Sequence, residues 1–144
     1  MTVRATLDAN VLVSAIPGIA NERSTPGDLL RRWRRGVFDL STSDYVIDEV
    51  GRALRGQYYG SRLSIHDVAL AVATIEARSL KTGLSGLVLG IAPDPKDDPV
   101  IATALSSNSR YLVTGDGKLR SVGHYEGARF RTPREFRDLL DGLP

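Results

Sequence analysis

Short apolar segments alternate with longer segments of helical periodicity along this chain, and that alternation constrains its fold more than any other feature. Segments 3–7, 37–42, 110–114 and 128–131 are short, contain β-branched or aromatic residues and end in polar residues, as buried strands do. Strands that alternate with helices predict a single parallel sheet with helices on both faces, joined by right-handed crossovers. We expect one domain over residues 1–144.

The helix boundaries follow from capping and breaking residues. Four predicted helices begin at a capping residue, namely Ser24 or Thr25, Ser43, Ser64 and Thr132, and two end at a breaking residue, at Pro17-Gly18 and Gly36. The predicted helices cover residues 11–16, 26–36, 44–55, 64–80, 99–107 and 133–140. We expect a broad apolar stripe on the fourth helix, a short strand at Leu87–Leu89, and irregular structure over residues 118–127.

Composition excludes several classes of protein. The chain has no cysteine, so it has neither disulfides nor thiolate metal ligands, and two histidines are too few for a His-rich zinc centre. No apolar run approaches the ~20 residues of a membrane span, and the N-terminus lacks the regions of a signal peptide. We therefore expect a cytoplasmic protein without membrane partners.

Two acids follow predicted strands. Asp8 comes directly after the first strand, and Asp116 comes just after strand 110–114. The carboxyl ends of parallel strands form the ligand crevice of open α/β sheets, so both acids are expected at one edge of the sheet. A carboxylate this close to a core must be paired, hydrogen-bonded or bound to a metal. For Asp8 the alternative is a helix cap, a role that Asn10 can also fill.

Glu49 is the unusual acid of helix 44–55. Helical periodicity puts Asp48 opposite the apolar face, as an ordinary exposed acid, whereas Glu49 lies at the edge of that face between Val46 and Ala53. An ionised side chain there costs free energy unless a positive group meets it. Either the stem of Glu49 packs while its head reaches water, or Glu49 belongs to a functional site.

Asp98 opens the helix that starts at Pro99. A residue before proline is disfavoured in the α region, which suits a helix N-cap. The position of Asp98 also falls on the inward side with Ala102, so the residue can cap the helix and face a cleft. Asp94 and Asp97 are expected in the solvent-facing loop, with a ligand role as the alternative.

A group of carboxylates without nearby histidines is typical of a hard-cation site, and it favours Mg²⁺ or Mn²⁺ over Zn²⁺. Without a metal the carboxylates repel one another, which raises some of their pKa values. One or two divalent ions would relieve this repulsion, activate a water and stabilise an in-line phosphoryl transition state. Motifs of competing chemistries, such as a Walker phosphate loop, GxSxG and HExxH, do not occur. We interpret His66 and His124 as surface or packing residues.

At these residues the chain resembles the PIN-domain proteins, in the branch of VapC-like toxins of toxin–antitoxin pairs. The family pattern is an Asp-x-Asn after the first strand, a helical Glu, an Asp that opens a later helix, and a Thr-x-Asp after the next strand. The corresponding segments here are Asp8-Ala9-Asn10, Asp48-Glu49-Val50, Asp97-Asp98-Pro99 and Thr114-Gly115-Asp116. The resemblance covers nearly the whole chain, although segment 55–94 is longer than in the most compact toxins.

The resemblance implies a three-layer α/β/α sandwich with a five-stranded parallel sheet, often as a homodimer. It also implies a site in which four carboxylates hold Mg²⁺ or Mn²⁺ and carry catalysis, supported by three polar residues. The four acids would be Asp8, Glu49, Asp98 and Asp116, and the supporting residues Asn10, Ser14 and Thr114.

We therefore predict a metal-dependent endoribonuclease, the toxin of a toxin–antitoxin pair, that hydrolyses RNA phosphodiesters with a metal-activated water. Its partners would be an RNA substrate and a cognate antitoxin. The cations expected near the rim of the site, as phosphate ligands, are Arg52, Arg55, Arg110, Lys118 and Arg120. The arginines over residues 31–35 are either a solvated helix end or an RNA-contacting patch.

Three other classes of function are weighed against this prediction. A non-catalytic PIN-like module for RNA or protein binding would keep its ligand in EDTA and turn over no RNA. A phosphatase of the haloacid-dehalogenase type needs a second Asp two residues after the first, where this chain has Asn10, and a response-regulator receiver needs an early acidic pair. We disfavour these last two.

Overall fold

The computed structural model of the protein describes residues 2–60, 62–84 and 90–143. Within these residues one sheet is formed by the strands β1 (Arg4–Leu7), β2 (Asp39–Thr42), β3 (Leu80–Lys81), β4 (Tyr111–Val113), β5 (His124–Tyr125) and β6 (Ala128–Arg131). Their order across the sheet is β3-β2-β1-β4-β6-β5. The predicted α/β sheet is confirmed, with six strands in the described residues in place of five.

The sixth strand comes from a hairpin at the edge of the sheet. All neighbours pair in parallel except β5, which runs antiparallel to β6. The reversal occurs at Glu126 and Gly127, whose φ angles are 50° and 92°. Positive φ at both central residues is the requirement of a tight two-residue hairpin. The expectation of irregular structure over residues 118–127 was therefore wrong.

Both faces of the sheet are covered. Ala5, Thr6 and Leu7 are consecutive residues of β1, and each is fully buried. Because successive side chains of a strand point to opposite faces, this run places packed elements on both sides of the sheet.

Helices flank the sheet in the described residues. They are α1 (Ala9–Gly18), α2 (Thr25–Arg34), α3 (Asp44–Leu54), α4 (Gln57–Gly60), α5 (Ile65–Arg78), α6 (Asp98–Ser106), α7 (Gly117–Arg120) and α8 (Pro133–Asp141). The predicted caps Ser24, Ser43, Ser64 and Thr132 all accept a backbone N–H of their helix. Helix α1 begins at Ala9, two residues earlier than predicted, and ends at Gly18, within the predicted Pro17-Gly18 stop. The predicted strand at 87–89 lies outside the described residues.

Helix α5 buries less of its surface than its sequence suggests. In this fully described helix only Val68 and Ile75 are buried, whereas Ile65 is 85% exposed and Leu70 is 60% exposed. The expected apolar stripe therefore faces the core along a narrow line and leaves apolar side chains in solvent.

Helices α1 and α2 meet at two glycines. A Cβ atom added to Gly27 would lie 2.1 Å from the carbonyl oxygen of Gly18. Since the opposing atom belongs to the backbone, only glycine allows this approach.

The direction of the strand order changes at the centre of the sheet. The chain builds β2 and β3 on one side of β1 and then returns to place β4 on the other side. Such a switch point leaves a crevice beyond the carboxyl ends of the two central strands. Leu7 at the end of β1 pairs with Val113 at the end of β4, so the residues that follow both strands meet at this crevice.

Candidate functional site

Asp8 stands at the crevice immediately after β1. Its backbone N–H donates to the carbonyl oxygen of Val113 over 2.9 Å, which extends the β1–β4 pairing by one residue. Asp8 occupies the N-cap of α1, but its side chain makes no capping hydrogen bond. Its Oδ2 instead accepts a hydrogen bond from the Thr114 hydroxyl over 2.9 Å. The carboxylate, 4% exposed, is thus held at the end of two strands.

Burial raises the pKa of Asp8 above its ordinary value. The hydrogen bonds from Thr114 and the Ala9 backbone act in the opposite direction, while the negative charges of Asp116 and Glu49 add to the increase. The negative charges of Asp116 and Glu49 therefore act on the Asp8 carboxylate.

Asp116 follows β4 and is fixed by backbone contacts. Its N–H donates to the Thr114 hydroxyl oxygen over 3.0 Å, and its Oδ1 accepts the N–H of Lys118 over 2.9 Å. The latter contact caps α7. Thr114 thus contacts both strand-end acids, through its hydroxyl in each case.

Glu49 is partly buried at the edge of the apolar face of α3, whereas Asp48 is exposed, and both placements match the helical periodicity. Its Oε1 accepts a hydrogen bond from Arg52 over 2.5 Å. The positive partner that an acid at this position needs is therefore present.

Asp98 does not face the crevice, and this is a correction to the sequence analysis. Its carboxylate, 3% exposed, accepts the backbone N–H groups of Gly90, Ile91 and Ala92 over 2.9, 3.2 and 2.8 Å. Asp98 is also the first residue of α6 in the helical region of backbone conformation (φ −56°, ψ −41°), so it is not the N-cap. These three hydrogen bonds hold the backbone of Asp98 in the α region, which a following proline disfavours.

Asp97 takes the place that was expected for Asp98. It occupies the N-cap of α6 without a side-chain capping bond, so its carboxylate is free to face the crevice. Burial, followed by the negative charges of Asp8 and Asp116 and then of Asp94 and Asp98, raises the pKa of Asp97 to about 6. Asp97 had been expected in the solvent-facing loop, with a ligand role only as the alternative.

One cleft of about 180 Å³ at the crevice is lined by Asp8, Glu49, Asp97 and Asp116. Its walls come from the end of β1, α1, α3, the loop before α6, α6 and the segment after β4. The lining residues are Asp8, Ala9, Asn10, Tyr45, Val46, Glu49, Asp94, Lys96, Asp97, Val100 and Asp116. Five of them are carboxylates, and we refer to this space as the acidic cleft.

Tyr45 and Lys96 line the acidic cleft and were missed. The Tyr45 hydroxyl donates to the carbonyl oxygen of Lys96 over 2.8 Å, which joins α3 to the loop before α6. Burial, and then the charges of Glu49 and Asp97, raise the pKa of Tyr45. A signal existed in the sequence, because Tyr45 precedes Glu49 by one helical turn and so shares its side of α3.

The predicted supporting residues are distributed around the cleft. Thr114 is fully buried beneath it and contacts both Asp8 and Asp116. Asn10 is exposed and lines the cleft, while Ser14, one turn later on α1, lines a neighbouring groove.

The predicted phosphate ligands do not form one group. Arg52 is paired with Glu49, and Lys118 is exposed beside Asp116. Arg110 precedes β4 and its N–H donates to the carbonyl oxygen of Arg4, so it lies at the opposite, amino edge of the sheet.

The two other predicted ligands have different neighbours. Arg55 lines a groove beside α5. Arg120 lies near Glu135, whose pKa is lowered by hydrogen bonds from Thr132 and by the charges of Arg131 and Arg120.

The arginines at the end of α2 make several contacts within the protein. Arg31 donates to the carbonyl oxygen of Ile19, and Arg32 pairs with Asp28 and Asp141. For these two residues the solvated helix end describes the structure better than a dedicated RNA patch.

The donor chemistry of the acidic cleft fits a hard divalent cation. Burial first, and then the negative charges of the neighbouring acids, raise the pKa values of Asp8 and Asp97, and a bound cation would offset that repulsion. In the part of the chain that the structure describes, however, no three carboxylate or histidine side chains lie close enough to hold an ion as placed. Binding would therefore require at least one carboxylate to turn inward.

The fold and the cleft define a class of α/β proteins with acids at the switch point of a mostly parallel sheet. Comparison with protein families narrows this class. A family model described as the PIN domain matches residues 4–118, a range that includes every carboxylate of the acidic cleft. The chain belongs to the PIN domain family. PIN domains are generally nucleases and typically use a divalent metal.

Solved structures share the fold. PAE2754 from Pyrobaculum aerophilum is 18% identical, with a TM-score of 0.63 over 98% of this chain and 91% of that one. VapBC2 from Rickettsia felis, bound to a DNA fragment from its promoter, is 13% identical, with a TM-score of 0.55 over 90% of this chain and 98% of that one. At these identities the likeness concerns the fold. A search of curated protein sequences found no match.

Among the helices formed by the described residues, none is both long and apolar enough to pass through a bilayer.

Proposed function

We propose that this protein is a Mg²⁺- or Mn²⁺-dependent endoribonuclease and the toxin of a toxin–antitoxin pair. The observation that carries the proposal is the meeting of Asp8, Glu49, Asp97 and Asp116 at one cleft. These residues come from four separate parts of the chain, and the fold has no need of four like charges at one point. Like charges in one site are retained where a cation is to be bound.

Asp8, Asp97 and Asp116 would hold the metal. Thr114 keeps the Asp8 carboxylate at the end of β1 through the 2.9 Å hydrogen bond, as groups behind a metal ligand generally do. When bound, the ion would offset the negative charge of the cleft and polarise the phosphodiester.

Glu49 would orient the attacking water or join the ligands. As an acceptor, its carboxylate would take the proton of that water while the water oxygen forms a bond to phosphorus and the leaving ribose oxygen departs. The hydrogen bond from Arg52 would hold the Glu49 carboxylate in place for that role. Lys96, a cation that lines the acidic cleft, would contact the phosphate.

The assignment as a toxin is supported by family membership and by the likeness to the VapBC2 structure. We propose that this chain also pairs with a cognate antitoxin, in the cytoplasm. On the ground of family membership we also propose that the protein forms a homodimer.

The test is Mn²⁺-dependent cleavage of transfer and ribosomal RNA by purified protein. Asp8→Asn should reduce cleavage by at least about a hundredfold, since loss of a metal ligand exceeds the 10- to 100-fold effect of groups behind the ligands. Glu49→Gln should do the same. Asp48→Asn is the matched control, because Asp48 is the exposed neighbour on the same helix. Cleavage retained in Asp8→Asn would contradict the proposal.

A second candidate is the non-catalytic binding module. It is favoured by the absence, within the described residues, of three donors already arranged around an ion. Under this hypothesis RNA or protein binding persists in EDTA, no RNA is turned over, and Mn²⁺ leaves the melting temperature unchanged.

A further inference from the structure

We propose that a groove next to the acidic cleft holds the unpaired nucleotide adjacent to the bond that is cut, and that Gly115 keeps this groove open. The inference rests on the proposed function and adds the path of the substrate. The groove has a volume of about 320 Å³ and is lined by Val11, Ser14, Pro26, Gly115 and Pro133, together with Asn10 and Asp116 of the acidic cleft.

The groove and the acidic cleft adjoin each other. Asn10 and Asp116 line both spaces, one from α1 and the other from the segment after β4. A polymer with its scissile phosphate in the acidic cleft must continue on one side or the other, and the groove provides space directly beyond Asp116. Its volume lies at the lower end of the range for small-ligand pockets, which suits one nucleotide better than a base pair.

The chemistry of the groove suits a sugar and base. Asp116 is the carboxylate among its lining residues, so the five acids of the cleft are not continued here. Asn10 and Ser14 are exposed and lie one turn apart on the same side of α1, where both offer hydrogen bonds. Pro26 and Pro133 supply apolar surface. Apolar surface with a few hydrogen-bonding groups is typical of small-ligand sites, and an unpaired base offers both an apolar face and a hydrogen-bonding edge.

Gly115 is not required by the fold. A Cβ atom added to it would find no atom within 4 Å, and its φ lies outside the left-handed range. Gly27, by contrast, has a backbone oxygen 2.1 Å from the corresponding point. A larger residue at position 115 would fit the backbone and would take up space at the wall of the groove.

The experiment measures binding of a short unpaired RNA to the full chain by fluorescence anisotropy, in the Asp8→Asn background, which prevents turnover under the proposed function. Adding Gly115→Leu should weaken binding at least about tenfold. Gly83→Leu is the matched control, because a Cβ at Gly83 also meets no atom within 4 Å and Gly83 lines neither space. The melting temperatures of both variants should equal that of their parent.

Equal binding by the Gly115→Leu and Gly83→Leu variants would overturn the inference, and so would an absence of RNA binding in the parent. A base-paired hairpin stem of the same composition should bind at least about tenfold more weakly than the unpaired strand, and equal affinity would also overturn it. The proposed nuclease activity is judged separately, by Mn²⁺-dependent cleavage with the otherwise unaltered chain and with Gly115→Leu alone. If no cleavage is observed while the groove binds unpaired RNA, the proposed role of the groove is supported and the proposed nuclease activity is wrong.

Discussion

The hydroxyl group of Thr114 donates a hydrogen bond to Oδ2 of Asp8 over 2.9 Å, and both residues are buried. The bond joins the ends of two neighbouring strands, β1 and β4. Because the same hydroxyl oxygen accepts the N–H of Asp116 over 3.0 Å, one side chain orients two acids of the cleft.

Replacing Thr114 with Val should show how much this bond contributes. Valine has nearly the same shape but leaves a buried carboxylate oxygen without its donor, so unfolding free energy should fall by about 1–3 kcal/mol. The pKa of Asp8 should rise further, because the bond lowers it, and the acid limb of any Mn²⁺-dependent activity should move to higher pH. Urea unfolding and a pH–rate profile test both effects.

Thr114→Ser is the control for that experiment, since serine keeps the hydroxyl group. It should stay close to the parent protein in its pH profile. A Thr114→Val protein with unchanged stability and an unchanged acid limb would show that the bond does not orient Asp8.

Asp97 and Asp98 are adjacent acids with opposite environments, so replacing each with Asn should have a different effect on the free energy of unfolding. Asp98→Asn removes one of the two acceptor oxygens from a carboxylate that accepts three backbone N–H groups, so it should cost about 2–3 kcal/mol. Asp97→Asn relieves repulsion and should be neutral or stabilising at neutral pH. Chemical denaturation in EDTA measures both. If Asp97→Asn lowered the free energy of unfolding more than Asp98→Asn does, the environments assigned to the two acids would be wrong.

The raised pKa of Asp97 makes stability depend on pH in the absence of metal. Its pKa is about 6 in the fold, against 3.8 ordinarily, so the folded state binds the proton more tightly than the unfolded state. The stabilisation that protonation gives is therefore complete below about pH 4 and is lost as pH rises through about 6.

Melting temperatures in EDTA should accordingly show a component that decreases with pH between about 4 and 7, and Asp97→Asn should lack that component. Mn²⁺ competes with the proton, so its stabilising effect should be larger at about pH 7 than at about pH 5. An identical pH dependence in Asp97→Asn would assign the effect to another group.

The positions of Asp8 and Asp116 could be predicted because they depend on topology alone. Once two strands are central and parallel, whatever follows them meets at one edge, and no side-chain detail is needed. Glu49 could be predicted because the period of a helix fixes which side each residue occupies.

The choice between Asp97 and Asp98 could not be made in this way. The rule for residues before proline is local, and it favoured Asp98 as the cap. In the structure Asp98 is not the cap, because its carboxylate accepts hydrogen bonds from three backbone N–H groups that are close to it only after folding. These are the N–H groups of Gly90, Ile91 and Ala92. The hairpin at Glu126 and Gly127 was missed for a related reason, because Glu is uncommon at a position with positive φ.

Gly27→Ala offers a test of the packing that sets α1 against α2. In an exposed helix this substitution stabilises by up to about 1 kcal/mol, because alanine is the better helix former. Here the new methyl group would lie 2.1 Å from the Gly18 carbonyl oxygen, an atom of the backbone that cannot rotate away. The helices would have to separate, at a cost of about 1–3 kcal/mol. Gly83→Ala, in open space, should be close to neutral, and a neutral or stabilising Gly27→Ala in urea unfolding would contradict the close approach.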